Sequence, residues 1–354
     1  MNDLGTLVLR RIEATGPVSV ADYMADCLLH PEFGYYNTRD PFGEAGDFTT
    51  APEISQMFGE LLGLCLAQTW MDQGQPSQFC LAELGPGRGT LMADILRVTK
   101  MVPGFHEAMH PILLEASPAL RRKQKEILQD YQISWIADIA ELPENPLFLI
   151  ANEFFDALPI RQFSRDDNGW REHQIVSVNG KLSMGLSAPA PLGSLDHRLA
   201  DTKSGDTVET RPSAEGFIQT VSERIAQYGG VALIIDYGDW RSLGDTFQAV
   251  KDHKAVSPLA EPGLADLTAH VDFEALVATL SDTQATPMVR QSDLLKSLGI
   301  DTRAQQLAAN LEGDELESHN EAHRRLTHPL EMGTLFKAIA FYPKNAASPP
   351  GFET

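Results

Sequence analysis

The chain has 354 residues, a formal net charge of −21 and 43% hydrophobic residues, with three cysteines. So acidic a chain excludes non-specific nucleic-acid binding, because phosphate contacts need a basic surface. No run of about 18 apolar residues occurs, so no transmembrane helix is expected. Cys27, Cys65 and Cys80 lie in apolar contexts without Cys-x-x-Cys spacing and read as buried reduced thiols, and the histidines lack a metal-ligand arrangement.

Residues 2–14 read as a helix broken by Gly16-Pro17, and Ser19 reads as the N-cap of a second helix carrying Tyr23, Met24, Cys27 and Leu28. The opening stretch has only a short apolar run before Arg10-Arg11, and Asp3 and Glu13 oppose a signal or transit peptide. A bacterial-type cytoplasm is therefore expected. His30 to Thr50 is rich in glycine, proline and aromatic residues, which describes an ordered loop. Such a loop either plugs the core edge or covers a cofactor, in which case Phe48, Thr49 and Thr50 contact it. Thr50-Ala51-Pro52-Glu53 has the form of a capping box, and it opens a long helix whose Ile54, Phe58, Leu61, Leu62, Cys65 and Trp70 form a core stripe.

The run from Phe79 to Leu91 joins an apolar strand to a glycine turn (Gly85, Gly87, Gly89) and then to a helix opening at Thr90-Leu91. Glycines let backbone approach a ligand, and a helix start offers unpaired N–H groups. Three cofactors use such turns. A dinucleotide turn wants a small residue where Thr90 stands, and a P-loop wants a lysine that is absent. S-adenosylmethionine carries a cationic amino group and sulfonium, for which Glu83 is a partner. The plainer account is a strand-to-helix turn with a solvated glutamate.

Further strands are expected at Ile112–Glu115, Ile133–Ala137 and Leu147–Ala151, alternating with helices, which predicts a parallel sheet. Ligands lie outside the carboxyl ends of such strands. Glu83, Glu115, Asp138 and Asn152-Glu153 each fall at or just past one strand end, and Glu115 suits two ribose hydroxyls. Beyond residue 160, antiparallel strands turn at Asn179-Gly180, residues 183–212 read as a surface excursion, and Val231–Asp236 resumes the α/β rhythm. An edge or insertion strand is expected at 246–250, helices at about 272–280, 291–298, 301–311 and 314–327, and a final strand at 333–342. The expected organisation is a helical N-terminal region (1–75), a core (76–342) with insertions at about 160–212 and 245–330, and a loose tail (343–354).

The sequence resembles the MidA-like group of class I S-adenosylmethionine-dependent methyltransferases, which includes the arginine methyltransferase that assists assembly of mitochondrial respiratory complex I. The resemblance rests on five stretches: Gly46 to Gln56, Glu83 to Leu91, Asn152-Glu153-Phe154-Phe155-Asp156-Ala157-Leu158-Pro159, Asp236-Tyr237-Gly238, and Pro262-Gly263 with Asp266 to Phe273. It implies an α/β fold with a Rossmann-like, mixed seven-stranded sheet and an added substrate-covering region. It also implies S-adenosylmethionine as cofactor and methyl transfer to a protein arginine, with a respiratory-complex subunit among the possible acceptors.

An arginine nucleophile is cationic and planar, so acids in its fork geometry would orient it. Glu153 and Asp156 are the expected clamp, with Asn152 holding substrate or cofactor and Phe154 or Phe155 walling the pocket. A strand-to-helix turn capped by asparagine is the competing account of this group. His270 reads either as a general base near Asp266 or as a structural hydrogen-bonder beside a helix start. A non-catalytic assembly chaperone on the same fold, and an NAD-dependent oxidoreductase, are the alternative functions. The latter is disfavoured because Glu115 lies about thirty positions after Gly85 instead of the expected ~20.

Overall fold

A computed structural model of the chain describes residues 2–38 and 49–352. These residues form two compact units, one of residues 49–155, 216–238 and 276–352, the other of residues 2–38, 156–215 and 239–275. The helix Gln56–Asp72, read from sequence as part of the N-terminal region, packs into the sheet-bearing unit: Phe58, Leu62, Leu66 and Trp70 share one core with Phe79, Leu81, Phe148 and Leu233.

Among the described residues the main sheet has nine strands where seven were expected, and seven of them follow one another in the order Thr283–Ala285, Phe336–Pro343, Gly230–Asp239, Leu147–Asn152, Phe79–Leu84, Met109–Leu114, Ser134–Ile136. The last five named are parallel, and the first two are antiparallel to their neighbours. This is the mixed α/β sheet expected. Phe79–Leu84 and Leu147–Asn152 are buried at every position, as strands covered on both faces must be, which is why they read as continuous apolar runs. From Phe79–Leu84 the chain steps outward through two strands and then returns to the other side of its starting point with Leu147–Asn152. The sheet therefore has a topological switch point between these two strands, where the crevice past the strand ends opens.

The expected long helix is interrupted. Ala51–Ile54 is a short helix, Ser55 is extended, and Gln56–Asp72 starts afresh with the Ser55 hydroxyl accepting from the Met57 N–H at 3.2 Å. The capping box is not formed: Thr50 makes no side-chain cap, the Glu53 N–H donates to the Thr50 carbonyl at 3.0 Å, and the Glu53 carboxylate accepts from Thr90. The expected loose tail is also corrected: Phe352 is buried in the core cluster, and the Cys65 thiol donates to the Pro350 carbonyl at 3.4 Å.

Gly230 pairs with Leu147 at a φ of +114°, and a Cβ there would lie 2.0 Å from the Leu147 carbonyl oxygen. Gly230→Ala is expected to cost roughly 3–5 kcal/mol, combining left-handed strain with overpacking against rigid backbone. Chemical denaturation of both proteins measures this.

In the other unit, helices Asp3–Thr15 and Val20–Leu29 start at Asn2 and Ser19 caps, as expected for the second. They pack Leu4, Val8, Tyr23, Met24 and Cys27 against Ile160, Ile175 and Leu267. One antiparallel sheet runs Val18–Ser19, Gly169–Val178, Arg161–Asp166, Thr207–Thr210, with Lys181–Leu186 also pairing Gly169–Val178. Asn179 and Gly180, at φ of +51° and +71°, make the predicted two-residue turn. The 183–212 stretch is more structured than a surface excursion: Leu195 and Val208 are buried with Phe163 and Trp170. The edge or insertion strand expected near 246–250 is observed at Gln248–Lys251, central in a separate three-stranded sheet between Lys254–Val256 and Asp266–Thr268, which fits the insertion.

Candidate active site

Strand register aligns the acids. Glu83 is level with Leu113 on one side and Ile150 on the other. Side chains alternate faces with period two, so Glu115 and Asn152, each two residues further on, share the parity of Glu83. Asp138 has the opposite parity, counting from the Leu113–Trp135 pairing. It is exposed, and its carboxylate accepts from the Ala140 N–H at 2.9 Å in a capping box with Glu141. The structure thus gives Asp138 a capping role and brings Glu83, Glu115 and Asn152 to one sheet edge.

Gly85, Gly87 and Gly89 have φ of +62°, +53° and +93°, and the helix Thr90–Thr99 starts directly after them. Thr90 donates its hydroxyl to Glu53 at 2.5 Å, and Arg88 lies 3.7 Å from the other Glu53 oxygen, so Glu53 ties the turn to the helix Ala51–Ile54. Leu91 points into the core. Thr49 and Thr50 lead into that short helix, and the Thr49 carbonyl accepts from Arg325 at 3.4 Å. Phe48 lies outside the described residues.

Glu83 is only 3% exposed. Burial pushes its carboxyl up to about 8; the Met92 N–H pulls it back and Glu115 pushes it further. Glu83 Oε2 and Asn152 Oδ1 are buried acceptors without a hydrogen-bond partner. Such atoms cost free energy until a donor arrives. At Glu115, one oxygen accepts from the Ser117 N–H at 2.7 Å and the other from Gln124 at 3.1 Å. Burial raises this carboxyl, and the donors from Ser117 and Gln124 offset only part of that rise. Each oxygen retains a second lone-pair direction for a ligand hydroxyl.

Glu153 follows Asn152 at a φ of +51°, a conformation that non-glycine residues adopt at a cost and that clusters at functional sites. Its Oε1 accepts from the Ala51 N–H at 3.1 Å and from the Asn152 amide at 3.0 Å. Phe154 lies over Gly85 and stands edge-on to Phe155 and Phe217, with centroids 5.3 and 5.1 Å away. Phe155 is core, and its N–H donates to Asp236 at 3.0 Å.

Asp156 and His270 belong to the other unit. There the Asp156 carbonyl accepts from the Ala269 N–H at 3.0 Å, and Tyr36 donates to Asp266 at 2.9 Å. Burial, Asp266 and Asp156 together hold the Tyr36 phenol well above its ordinary range. The His270 N–H donates to Thr246 at 2.9 Å, and its carbonyl accepts from Arg211 at 3.3 Å.

Three residues of the sheet unit escaped the sequence reading of the site: Glu53, Gln124 and Asp236. Glu53 was visible as half of a capping box and within the stretch Gly46 to Gln56, and Asp236 as part of a motif, without a site role for either. Nothing local marks Gln124.

The residues fit S-adenosylmethionine better than a pyrophosphate. Two buried acceptors without donors call for an ammonium, which has three donors and no acceptor, and would repel a phosphate. Comparison with known proteins agrees. A family model described as "putative S-adenosyl-L-methionine-dependent methyltransferase" matches residues 61–289, and the chain belongs to this family. Among its relatives are the "Protein arginine methyltransferase NDUFAF7, mitochondrial" of Homo sapiens, 37% identical over 95% of this chain and 82% of the relative. The Drosophila melanogaster homologue of that name is 36% identical over 94% of this chain and 83% of its own length. A Burkholderia thailandensis protein solved bound to S-adenosyl-homocysteine superposes with a TM-score of 0.84 at 27% identity, covering 98% of this chain and 93% of that one. Mixed sheet, glycine turn and family together define an S-adenosylmethionine-dependent methyltransferase.

Proposed function

We propose that the chain transfers methyl groups to an arginine nitrogen of a partner protein. The observation that carries this reading is the pair of buried acceptors without donors, Glu83 Oε2 and Asn152 Oδ1, at the switch point of the sheet. The arginine specificity is supported by the names of the relatives. When bound, S-adenosylmethionine supplies an electrophilic methyl group on a sulfonium. Glu83 and Asn152 would hold its amino group, Glu115 its ribose hydroxyls, and the three glycines would admit it to the backbone. Methyl transfer is an in-line displacement, so the protein mainly aligns the reactants away from water.

Of the two acids expected to orient the guanidinium, Glu153 is carried forward, since it shares a unit and a strand end with these groups. Its carboxylate, aimed by Asn152 and by the Ala51 N–H, would accept guanidinium N–H bonds and leave electron density on the attacking nitrogen. Glu153→Gln is expected to lower kcat about 100-fold or more while changing S-adenosylhomocysteine affinity less than about threefold. Unchanged methylarginine formation removes Glu153 from the mechanism.

The acceptor proposed from the resemblance is a respiratory-complex subunit. Methylarginine mapping of cells with and without the gene tests it, and loss of sites elsewhere only would replace that acceptor. A bacterial-type cytoplasm finds no support in relatives named mitochondrial. Among the described residues, no helix is long and apolar enough to cross a membrane.

A further inference from the structure

Gln124 lies in the helix Pro118–Ile127, follows no motif, and is 0% exposed. Its amide touches three separate parts of the sheet edge. Nε2 donates to the Gly87 carbonyl at 2.8 Å and to Glu115 Oε2 at 3.1 Å, while Oε1 accepts from the Trp135 indole N–H at 2.8 Å. The orientation of the amide is chemically determined: indole N–H is donor-only, so Oε1 faces Trp135 and both amide hydrogens face the two acceptors. The chain elements joined are the glycine turn, the end of Met109–Leu114 and the strand Ser134–Ile136.

We infer that Gln124 is a positioning residue for the ribose end of the cofactor site, acting through Glu115 and the Gly87 carbonyl. The inference rests on the methyltransferase reading above. A carboxylate that must accept two vicinal hydroxyls needs a fixed rotation and an ionised state. Gln124 fixes one oxygen and, alongside the Ser117 N–H on the other, gives the carboxylate a donor that favours the charged form against the burial that opposes it. The same amide keeps the Gly87 peptide oriented, so turn and carboxylate hold one mutual geometry. An apolar side chain of similar length would leave the Gly87 carbonyl, Glu115 Oε2 and the Trp135 N–H without this partner.

The test is calorimetric binding of S-adenosylhomocysteine and of its 2′-deoxy analogue to wild type, Gln124→Met and Gln124→Glu. Wild type should bind the parent ligand and lose about tenfold or more on removal of the hydroxyl. Gln124→Met should bind the parent about 10- to 100-fold more weakly and hardly distinguish the two ligands, because the hydroxyl contact has already gone. A merely structural glutamine predicts additive losses, so a variant that discriminates as strongly as wild type overturns the inference. Gln124→Glu places two carboxyls side by side. Its deficit should shrink as pH falls from 8 to 6, when the new carboxyl takes a proton and donates again. A deficit independent of pH overturns the inference even if the methionine variant fails to fold. Wild type that binds neither ligand rejects the cofactor reading itself, and the inference with it.

Discussion

Gly85→Val is expected to abolish saturable binding of S-adenosylmethionine. The φ of +62° is one that a β-branched residue does not adopt without strain, and a Cβ would meet Phe154 Cδ2 at 2.8 Å. Phe154 has little room to yield, being held edge-on between Phe155 and Phe217. The new side chain therefore displaces either the turn or the ring, and both border the site. Gly85→Ala adds the same Cβ without the branch and should weaken binding about 10- to 100-fold. Equilibrium dialysis with S-adenosylhomocysteine, on variants whose circular dichroism shows a folded chain, checks this. Binding within about threefold of wild type would mean that the turn does not contact the cofactor.

Glu83 should make the apo protein lose stability as pH rises toward 8. Its carboxyl titrates near 8 in the folded chain against an ordinary value of 4.5, because burial disfavours the charge. For a group whose pKa is raised by folding, the contribution is fully present below the unfolded value and is lost as pH climbs through the folded one. Thermal unfolding across pH 5 to 9 should therefore show a decline in wild type that is much smaller in Glu83→Gln. Above pH 8 the variant should be the more stable of the two. An ammonium arriving beside Glu83 favours the ionised form, so cofactor binding at pH 7 should release close to one proton. Calorimetry in buffers of different ionisation enthalpy counts that proton. No release, or the same release from Glu83→Gln, would place the ammonium elsewhere.

What the sequence revealed of the site depended on whether a residue's role was set by its own strand. Glu83, Glu115 and Asn152 were legible because a strand end and a period of two are local properties, and the register then aligned them. Asp138 satisfied the same strand-end rule but not the parity, and the nearby Glu141 completed a cap that local reading had not weighed. Thr50 and Glu53 carried a cap signature, yet the box is not formed and the Glu53 carboxylate accepts from Thr90, 37 positions on. Gln124 was invisible for a similar reason: its partner Gly87 lies 37 positions away, and glutamine on a polar helix looks like surface. The chain end read as loose because it is rich in proline and small residues, but the single aromatic Phe352 docks it to the core. The glycine turn pointed to S-adenosylmethionine already in the sequence, through Glu83 and the absence of the other turns' residues, and the two buried acceptors lacking donors agree with it.

The measurement that bears most directly on the central claim is a calorimetric titration of the purified chain with S-adenosylmethionine and, separately, with NAD. One saturable site for S-adenosylmethionine, no heat from NAD, and loss of the first on Gly85→Val are the predicted results. Saturable binding of NAD, or no binding of S-adenosylmethionine by the folded chain, would contradict the assignment of this site to methyl transfer.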